Sequence, residues 1–513
     1  MDISGLEVIT NFSTIDWCIV VGYLVSVVGI GVYIRRYIKN VTQFIVAGRG
    51  LKTFVAIATM IGTELGLVTV MYSAQKGFTG GFAAFHISLA SGIVTLAVGL
   101  TGFIVVPLRR MNVMTIPEFY EKRFGRGVRI LGGIILAFSG ILNMGMFLKA
   151  GSLFVMGVTG MTSDTELKLI MTVLLVMVLL YTTLGGMVSV VVLDYIQFVV
   201  LSFSLLAVTL FSIKYLGWSN IIETVSDLQG EAGFNPLHSE GFGVSYVVWM
   251  FFLGLVGCAV WQTAVIRACS AQNTRVVRRI YTLGSVGFLI HFLLPYFFGI
   301  CALVYIDQTP SLRESFLPAG SVVESQVSLL ATPIFWARII PAGFLGIVSA
   351  GMLAAFMSTH DSYLLCWSAV LTQDVVAPFF TKGLSSKARL LLTRFFIIAI
   401  GIFILVWGLW YPLGQDLWDY MAISGAIYFT GAIALLVIGL YWQRASKAGA
   451  YLALICGFFS ILGLKPLQAL LGIDLSSENV GLTVIALAVV LMIVGSLVFP
   501  HNCTSCDSQP NKG

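Results

Sequence analysis

Between Ile57 and Phe78 the sequence reads IATMIGTELGLVTVMYSAQKGF, an apolar segment with a polar, glycine-containing centre. Gly62, Thr63, Glu64 and Gly66 form that centre. A helical glycine costs about 1 kcal/mol relative to alanine, and a carboxylate at mid-bilayer depth costs about 2.5–3.5 kcal/mol. Both costs fall where a membrane helix unwinds and its free carbonyl groups face a cavity. The segment therefore predicts a discontinuous membrane helix.

The composition of the whole chain requires a membrane. Of its 513 residues, 58% are hydrophobic and only 10% are charged, whereas soluble domains carry about 25% charged residues. Too few polar side chains remain to cover a water-facing surface. This balance excludes a soluble enzyme, a secreted disulfide scaffold, a nucleic-acid-binding protein and a soluble domain on one anchor helix.

Apolar segments recur along the chain from Ile15 to Pro500. At about 20 residues per crossing, they predict an all-α polytopic membrane protein with roughly thirteen transmembrane helices. We expect residues 1–500 to form a single transmembrane domain and residues 501–513 to form a short polar tail. In that tail, Cys503 and Cys506 form an isolated C-x-x-C pair, which we interpret as reduced and idle rather than as a metal site.

The basic residues predict how the chain is oriented, because short cytoplasmic loops are enriched in lysine and arginine. With this rule the N-terminus lies outside, and the C-terminus and tail lie inside. We also expect a multi-pass protein of the cell (plasma or inner) membrane. The loops that we expect to face the cytoplasm contain Arg35, Arg36, Lys39, Arg49, Arg109, Arg110, Lys122, Arg123, Arg126, Arg275, Arg278, Arg279, Lys382, Lys387, Arg389, Arg444 and Lys447.

A second interrupted segment reads FFLGLVGCAVWQTAVIR, from Phe251 to Arg267. Gly254 and Gly257 precede Trp261 and Gln262, five helices after the first interruption. Two interrupted helices in corresponding positions predict an inverted repeat with a binding site near the middle of the membrane. The alternative is two glycine-bearing helices in close contact. Glu64 in the first segment favours the binding site.

A polar helical face follows in AGMLAAFMSTHDSYLLCWSAVLTQD, which begins at Ala350. Ala355, Ser358, Thr359 and Ser362 stand at i, i+3, i+4 and i+7, hence on one face of a helix. Hydroxyl oxygens on that face, together with free carbonyl oxygens from the broken helix, suit a hard cation. In the alternative, serine and threonine only bond back to their own helix. Asp361 beside the face, and Asp194 within VVVLDYIQFVVL, favour cation binding because intramembrane charges usually pair or serve ions.

The chain resembles the sodium:solute symporter family from about Gly29 to Gly457. No single matching segment is specific, but six occur in the order found in the family. They are FIVAGRGL (Phe44–Leu51), VPLRRMNVMTIPEFYEKRFG (Val106–Gly125), YTTLGGMVSVVVLDYIQ (Tyr181–Gln197), QTAVIRACSAQNTRVVRR (Gln262–Arg279), AAFMSTHDS (Ala354–Ser362) and LYWQRASKAGA (Leu440–Ala450).

The resemblance implies a leucine-transporter-type fold, with a five-plus-five inverted repeat and a discontinuous first core helix. It also implies two cation sites. The principal sodium site falls on the carbonyl groups of Gly62, Leu65 and Ala355 and the hydroxyl groups of Ser358 and Thr359. The second sodium site of some members corresponds to Asp194, Ser358, Asp361 and Ser362.

The resemblance places the solute contacts as well. Ser91 and Gln262 match the sugar-transporting members, whereas the other positions depart from them, which argues against a sugar. Glu64 with His291 suits an amino acid or other zwitterion, and His291 with the hydroxyl groups suits a small carboxylate. The corresponding positions are Glu64, Thr69, Ser88, Ser91, Trp261, Gln262, Thr263 and His291.

We therefore expect a secondary active transporter that couples sodium entry to uptake of a small polar organic solute by alternating access. One alternative is proton coupling through Glu64 or Asp361. Another is a transporter-like membrane sensor that acts through a separate partner, although no obligate protein partner is evident. The sequence contains no nucleophile–base constellation or cluster of metal ligands that would indicate an enzyme. Trp418 and Asp419 belong either to an interfacial belt or to an outer gate.

Overall fold

The computed structural model describes residues 9–34, 47–239, 241–318, 325–380, 383–411 and 415–500, except the side chains at 184–186 and 188. Arg35, Arg36, Lys39, Lys382 and the tail with Cys503 and Cys506 lie outside the described residues. The described chain is helical, and its one β-bridge joins Leu51 and Ala271.

In the described chain, ten α-helices precede the second interrupted segment, and the first predicted interruption lies among them. They are α1 (Thr14–Ile34), α2 (Thr53–Glu64), α3 (Leu67–Gly80), α4 (Phe85–Thr101), α5 (Val105–Arg110), α6 (Ile116–Phe124), α7 (Arg126–Met144), α8 (Phe147–Thr159), α9 (Asp164–Leu216) and α10 (Trp218–Gln229).

The helices of the second half start with the second interrupted segment. They are α11 (Gly243–Ala259), α12 (Gln262–Ser270), α13 (Thr274–Asp307), α14 (Pro310–Phe316), α15 (Ser325–Ile339), α16 (Phe344–Val370), α17 (Ser386–Trp410), α18 (Leu417–Tyr441), α19 (Lys447–Phe458), α20 (Lys465–Leu471) and α21 (Ser477–Val498).

The predicted all-α polytopic membrane fold is confirmed. Ten segments of the described chain are long and apolar enough to cross a membrane, or eleven if the bent pair Lys447–Gly463 and Lys465–Leu471 is one span. The helix α16 is not among the ten, because its serine, threonine, histidine and aspartate residues lower its hydropathy. The count of thirteen helices, the single-domain boundaries and the orientation stay predictions.

The first predicted interruption separates α2 from α3. The helix α2 ends at Glu64, Leu65 has φ −92° and ψ 68°, and Gly66 is extended with φ −82° and ψ 170°. The side chain of Thr69 joins the two ends: its Oγ1 donates to the Glu64 carbonyl oxygen at 2.8 Å and accepts from the Gly66 N–H at 3.3 Å. The first core helix is therefore discontinuous, as predicted.

The second interruption separates α11 from α12. The helix α11 ends at Ala259, Trp261 adopts extended dihedrals (φ −75°, ψ 129°), and α12 starts at Gln262. Both interruptions lie in the interior, where α2 and α12 pack against the polar helix α16, and α2 also packs against α9. The fold thus brings two helix breaks and one polar helix together.

Candidate functional site

The break between α2 and α3 lies directly against the hydroxyl groups of α16. Ser358 Oγ donates to the Gly62 carbonyl oxygen, and Thr359 Oγ1 donates to the Thr63 carbonyl oxygen, both at 3.0 Å. Ser358 and Thr359 are 0% and 3% exposed. Leu65 is fully buried within the break, and Ala355 stands one turn before Ser358 on the same helical face. The predicted principal-site residues therefore occupy two facing elements, although the carbonyl that contacts Thr359 belongs to Thr63.

Glycine at position 66 permits this close approach. A Cβ atom built on Gly66 would lie 2.1 Å from Thr359 Oγ1. That distance is far below van der Waals contact, so any larger residue would push the break away from α16. The short distance between the break and the hydroxyl groups thus requires glycine at position 66.

Asp194 extends the polar cluster toward α9. Its carboxylate lies 2.5 Å from Ser358 Oγ, whose single proton it shares with the Gly62 carbonyl oxygen, and it accepts hydrogen bonds from Thr59 and, at 3.3 Å, from Thr63 Oγ1. Asp194 is fully buried. Through Ser358, the carboxylate is linked to the carbonyl oxygens at the helix break, so a cation there would feel its charge.

Arg267 lies in the same cluster and was not among the predicted site residues. It is 1% exposed, and its Nη2 donates to Thr63 Oγ1 at 2.5 Å and Ser362 Oγ at 2.6 Å. The same nitrogen lies 3.7 Å from the Asp194 carboxylate. A lone arginine within an apolar segment could have indicated a buried base. Because Arg267 lies near the end of its segment, it was not distinguished from the basic residues of the cytoplasmic loops.

Asp361 and Ser362 complete the residues predicted for a second cation. Both are fully buried, and Ser362 Oγ donates to Asp361 Oδ1 at 3.2 Å. In the described part of the chain, Arg267 is the only base within salt-bridge distance of Asp194, and no base is that close to Asp361. Two buried carboxylates therefore share a region with one guanidinium group.

A cavity of about 130 Å³ opens beside the helix break. Its lining includes the polar side chains of Glu64, Thr69, Ser91, Thr95 and Thr359, together with the hydroxyl-bearing rings of Tyr72 and Tyr363. A second cavity of about 120 Å³ shares Glu64 with the first and is lined by Trp261 as well. Thr263 Oγ1 donates to Glu64 Oε1 at 2.7 Å and so orients the carboxylate. These predicted solute positions come together around one carboxylate.

Four predicted solute positions do not line either cavity: Thr263, which reaches Glu64 from behind the lining, and three whose side chains bond elsewhere. Ser88 donates to the Leu289 carbonyl oxygen at 3.0 Å, and the Gln262 side chain bonds the backbone of Met114 and Ile116. His291 contacts Ser202 Oγ at 2.9 Å and the Gly287 carbonyl oxygen. Each side chain stands on a helical face turned toward a neighbouring helix instead of the cavity.

Aromatic side chains that were not predicted as contacts form much of the cavity wall. They come from α3, α8, α13, α16 and α18, and their rings surround the space next to Glu64. Aromatic residues are common throughout the chain, so spacing alone did not distinguish these. They are Tyr72, Phe147, Phe288, Phe292, Tyr363 and Trp418.

An ion-pair cluster joins α3 to the start of α18 beyond the cavity. Lys76 Nζ lies 2.8 Å from Asp416 and 3.0 Å from Asp419. One turn earlier on α3, the ring of Tyr72 packs on that of Trp418 with a centroid distance of 4.6 Å. Trp418 and Asp419 therefore contact the broken helix directly, which fits the outer-gate alternative better than a lipid-facing belt.

The sequence model of the sodium:solute symporter family matches residues 44–457. The sodium/sialic acid symporter NanT of Aliivibrio fischeri is 22% identical over 469 residues, 89% of this chain and 88% of that protein. The sodium/glucose cotransporter 4 of Danio rerio is 24% identical over 475 residues, 86% of this chain and 70% of that protein. A solved Na⁺-coupled sialic acid symporter, substrate-bound and outward-open, covers 95% of this chain and 98% of its own at 20% identity, with a TM-score of 0.78. This likeness shows the fold.

Proposed function

Since the chain belongs to the sodium:solute symporter family, we propose that it carries a small polar organic solute together with sodium by alternating access. It is a multi-pass membrane protein and a transporter, not an enzyme. We propose, in addition, the class of its solute, its ion coupling and the residues that bind solute and ion. The cell membrane is the typical location for such a transporter.

One observation carries this proposal: the unwound break lies 3.0 Å from two buried hydroxyl groups of α16. Carbonyl and hydroxyl oxygens are ligands for hard cations. We assign the principal sodium ion to the carbonyl oxygens of Gly62, Leu65 and Ala355 and the hydroxyl oxygens of Ser358 and Thr359. Such an ion would connect the broken helix to α16.

The proposed mechanism follows from that connection. Bound sodium stabilises the conformation in which the break and α16 stay together, and solute binding then permits closure and inward opening. Loss of sodium on the inside weakens the connection and releases the solute. One positive charge that crosses 100 mV releases about 2.3 kcal/mol, enough for roughly 40-fold accumulation.

A second cation is the other candidate, favoured by the shortage of buried positive charge. Asp194 and Asp361 are both fully buried, and Arg267 supplies one positive charge for the pair. A sodium ion held by Asp194, Ser358, Asp361 and Ser362, or a proton on Asp361 or Glu64, would supply another. If the additional charge is a proton, the transporter would be proton-coupled.

We propose an amino acid or carboxylate over a sugar as the solute, and the negative charge of Glu64 in the cavity favours the amino acid of the two. Glu64 is a charged group that lines the cavity, and Gln262, one of the two positions that match the sugar-transporting members, does not line it but bonds the backbone of Met114 and Ile116. Glu64, Thr69, Ser91 and Trp261 are the predicted contacts that line the cavities, and Thr263 orients the Glu64 carboxylate.

Binding of radioactive sodium to the purified protein tests the proposed ion site. We expect saturable binding in wild type and at least tenfold weaker binding in S358A/T359A, because this variant removes both hydroxyl ligands. The control is S26A/T172A, which removes two exposed hydroxyl groups that bond their own helices. Equal binding by both double variants would contradict the proposed site. Uptake into proteoliposomes under separate sodium and pH gradients then distinguishes sodium from proton coupling.

A further inference from the structure

We propose that the solute carries a positively charged nitrogen, which the Glu64 carboxylate holds inside an aromatic enclosure. This inference rests on the proposed transport function and names the chemical class of its solute. It requires the charged nitrogen and makes a carboxylate on the solute optional. A simple carboxylic acid and a sugar are therefore excluded as solutes.

The charge around the cavity has one sign. Among the described residues that line the two cavities, Glu64 is the only one with a formal charge; no lysine, arginine or histidine contributes to the lining. The nearest guanidinium, that of Arg267, is engaged with Thr63, Ser362 and Asp194 instead. An anionic solute would meet a carboxylate with no lining base to offset it, whereas a cation would form a charge-assisted contact.

The geometry of Glu64 suits an ammonium group. Thr263 Oγ1 occupies Oε1 at 2.7 Å, and this is the only described hydrogen bond to the carboxylate. An ionised carboxylate accepts bonds at two oxygens and donates none. The side chain is therefore held in place by one hydroxyl donor while acceptor capacity remains for N–H groups of a solute.

The aromatic wall supplies a second recognition element for a cation. Tyr72 and Trp418 lie at a centroid distance of 4.6 Å, and Phe147 and Tyr363 at 5.1 Å. Phe288 and Phe292 stack at 5.4 Å. The faces of aromatic rings attract cations within about 6 Å, and such enclosures bind ammonium groups without a hydrogen-bond donor on the solute.

The Trp418 indole N–H, which has no hydrogen-bond partner within the described residues, indicates that the solute carries an acceptor at the end away from its nitrogen. Trp418 lines both cavities. By contrast, Trp261 Nε1 donates to the Tyr363 hydroxyl at 3.1 Å. A solute with a hydroxyl, carbonyl or carboxylate oxygen a few bonds from its nitrogen would satisfy the Trp418 donor.

Matched solutes that differ in charge test the inference on the full-length protein. The probes are choline and its uncharged carbon isostere neohexyl alcohol, together with leucine, isoamylamine and isocaproate. The readout is the melting temperature of the purified protein in sodium and in potassium. We expect choline, leucine or isoamylamine to raise the melting temperature in sodium, and neohexyl alcohol and isocaproate to leave it unchanged.

The variant E64Q removes the charge at nearly constant shape. We expect it to weaken binding of the cationic probes at least tenfold. The control is E223Q, which changes an exposed carboxylate on α10. The comparison of charged and uncharged probes on wild type holds even if E64Q does not fold.

Three outcomes would overturn the inference: an uncharged or anionic probe that stabilises wild type as strongly as its cationic partner, no stabilisation by any cationic probe, or undiminished binding by E64Q. The proposed transport function fails separately. It fails if S358A/T359A binds sodium like wild type, whatever the charge of the solute.

Discussion

Arg267 has the most demanding environment of any single residue near the site. Its guanidinium group is 1% exposed and contacts the hydroxyl groups of Thr63 and Ser362, with Asp194 at 3.7 Å. Removing one member of a buried charge group leaves the other charges without compensation. Its Nη1 also donates to the Thr263 carbonyl oxygen at 3.1 Å while Nη2 bonds the two hydroxyl groups, and one lysine ammonium cannot reproduce donors spread over two nitrogens.

We expect R267M to lower the free energy of unfolding by about 3–5 kcal/mol, since it leaves two buried carboxylates without a base. Thermal unfolding of the purified protein measures the change. The control is R313M, because Arg313 pairs with Asp307 at 3.2 Å but its side chain is 56% exposed. R267M/D194N should recover part of the loss. If R267M melted together with R313M, the guanidinium would not compensate the buried carboxylates.

At this scale the sequence predicted what depends on spacing along one helix. The hydroxyl face of Ser358, Thr359 and Ser362 follows from helical periodicity, and the structure places it against the helix break. Pairing between helices does not follow from spacing. Arg267 was therefore missed, and His291 was placed in the site although its ring contacts Ser202 on another helix.

The broken helix is the element on which the proposed ion site depends. Its interruption was predictable, because glycine and a carboxylate within an apolar segment are both unfavourable in an intact membrane helix. The partner of the break was predictable only in part. Contact with Thr359 requires that residue 66 have no side chain, and this close approach between two helices cannot be derived from the sequence alone.

We expect G66A to abolish most sodium-dependent stabilisation while the protein remains folded. The added methyl group would overlap Thr359 Oγ1, so the break would move away from the hydroxyl groups of α16. The melting temperature in sodium and in potassium gives the result. G22A is the matched control, because a Cβ atom at Gly22 in α1 meets nothing within 4 Å. An unchanged sodium response in G66A would show that the break and α16 need not touch.

At the scale of the whole molecule, the net charge of the buried groups limits which ions and solutes can bind. Around the site, the described residues include more carboxylates than bases. Within the described residues, the carboxylates of Glu64, Asp194 and Asp361 and the one base Arg267 lie around the helix break, so three negative charges stand against one positive charge when all are ionised. Uncompensated charge in a membrane interior is costly. One sodium ion at the break, linked to Asp194 through Ser358, and one ammonium group at Glu64 would restore neutrality.

This balance predicts how many charges cross the membrane in each cycle. With one sodium ion and one cationic solute, two charges move, so a tenfold change in the solute gradient should shift the reversal potential by about 30 mV. A zwitterionic solute should give a shift of about 59 mV, because only the sodium charge then moves. Currents from proteoliposomes supplied with isoamylamine or leucine measure both values. A shift of about 20 mV with the cationic solute would mean that three charges move. In that case a second sodium ion or a proton accompanies each cycle, and Arg267 alone does not balance Asp194 and Asp361.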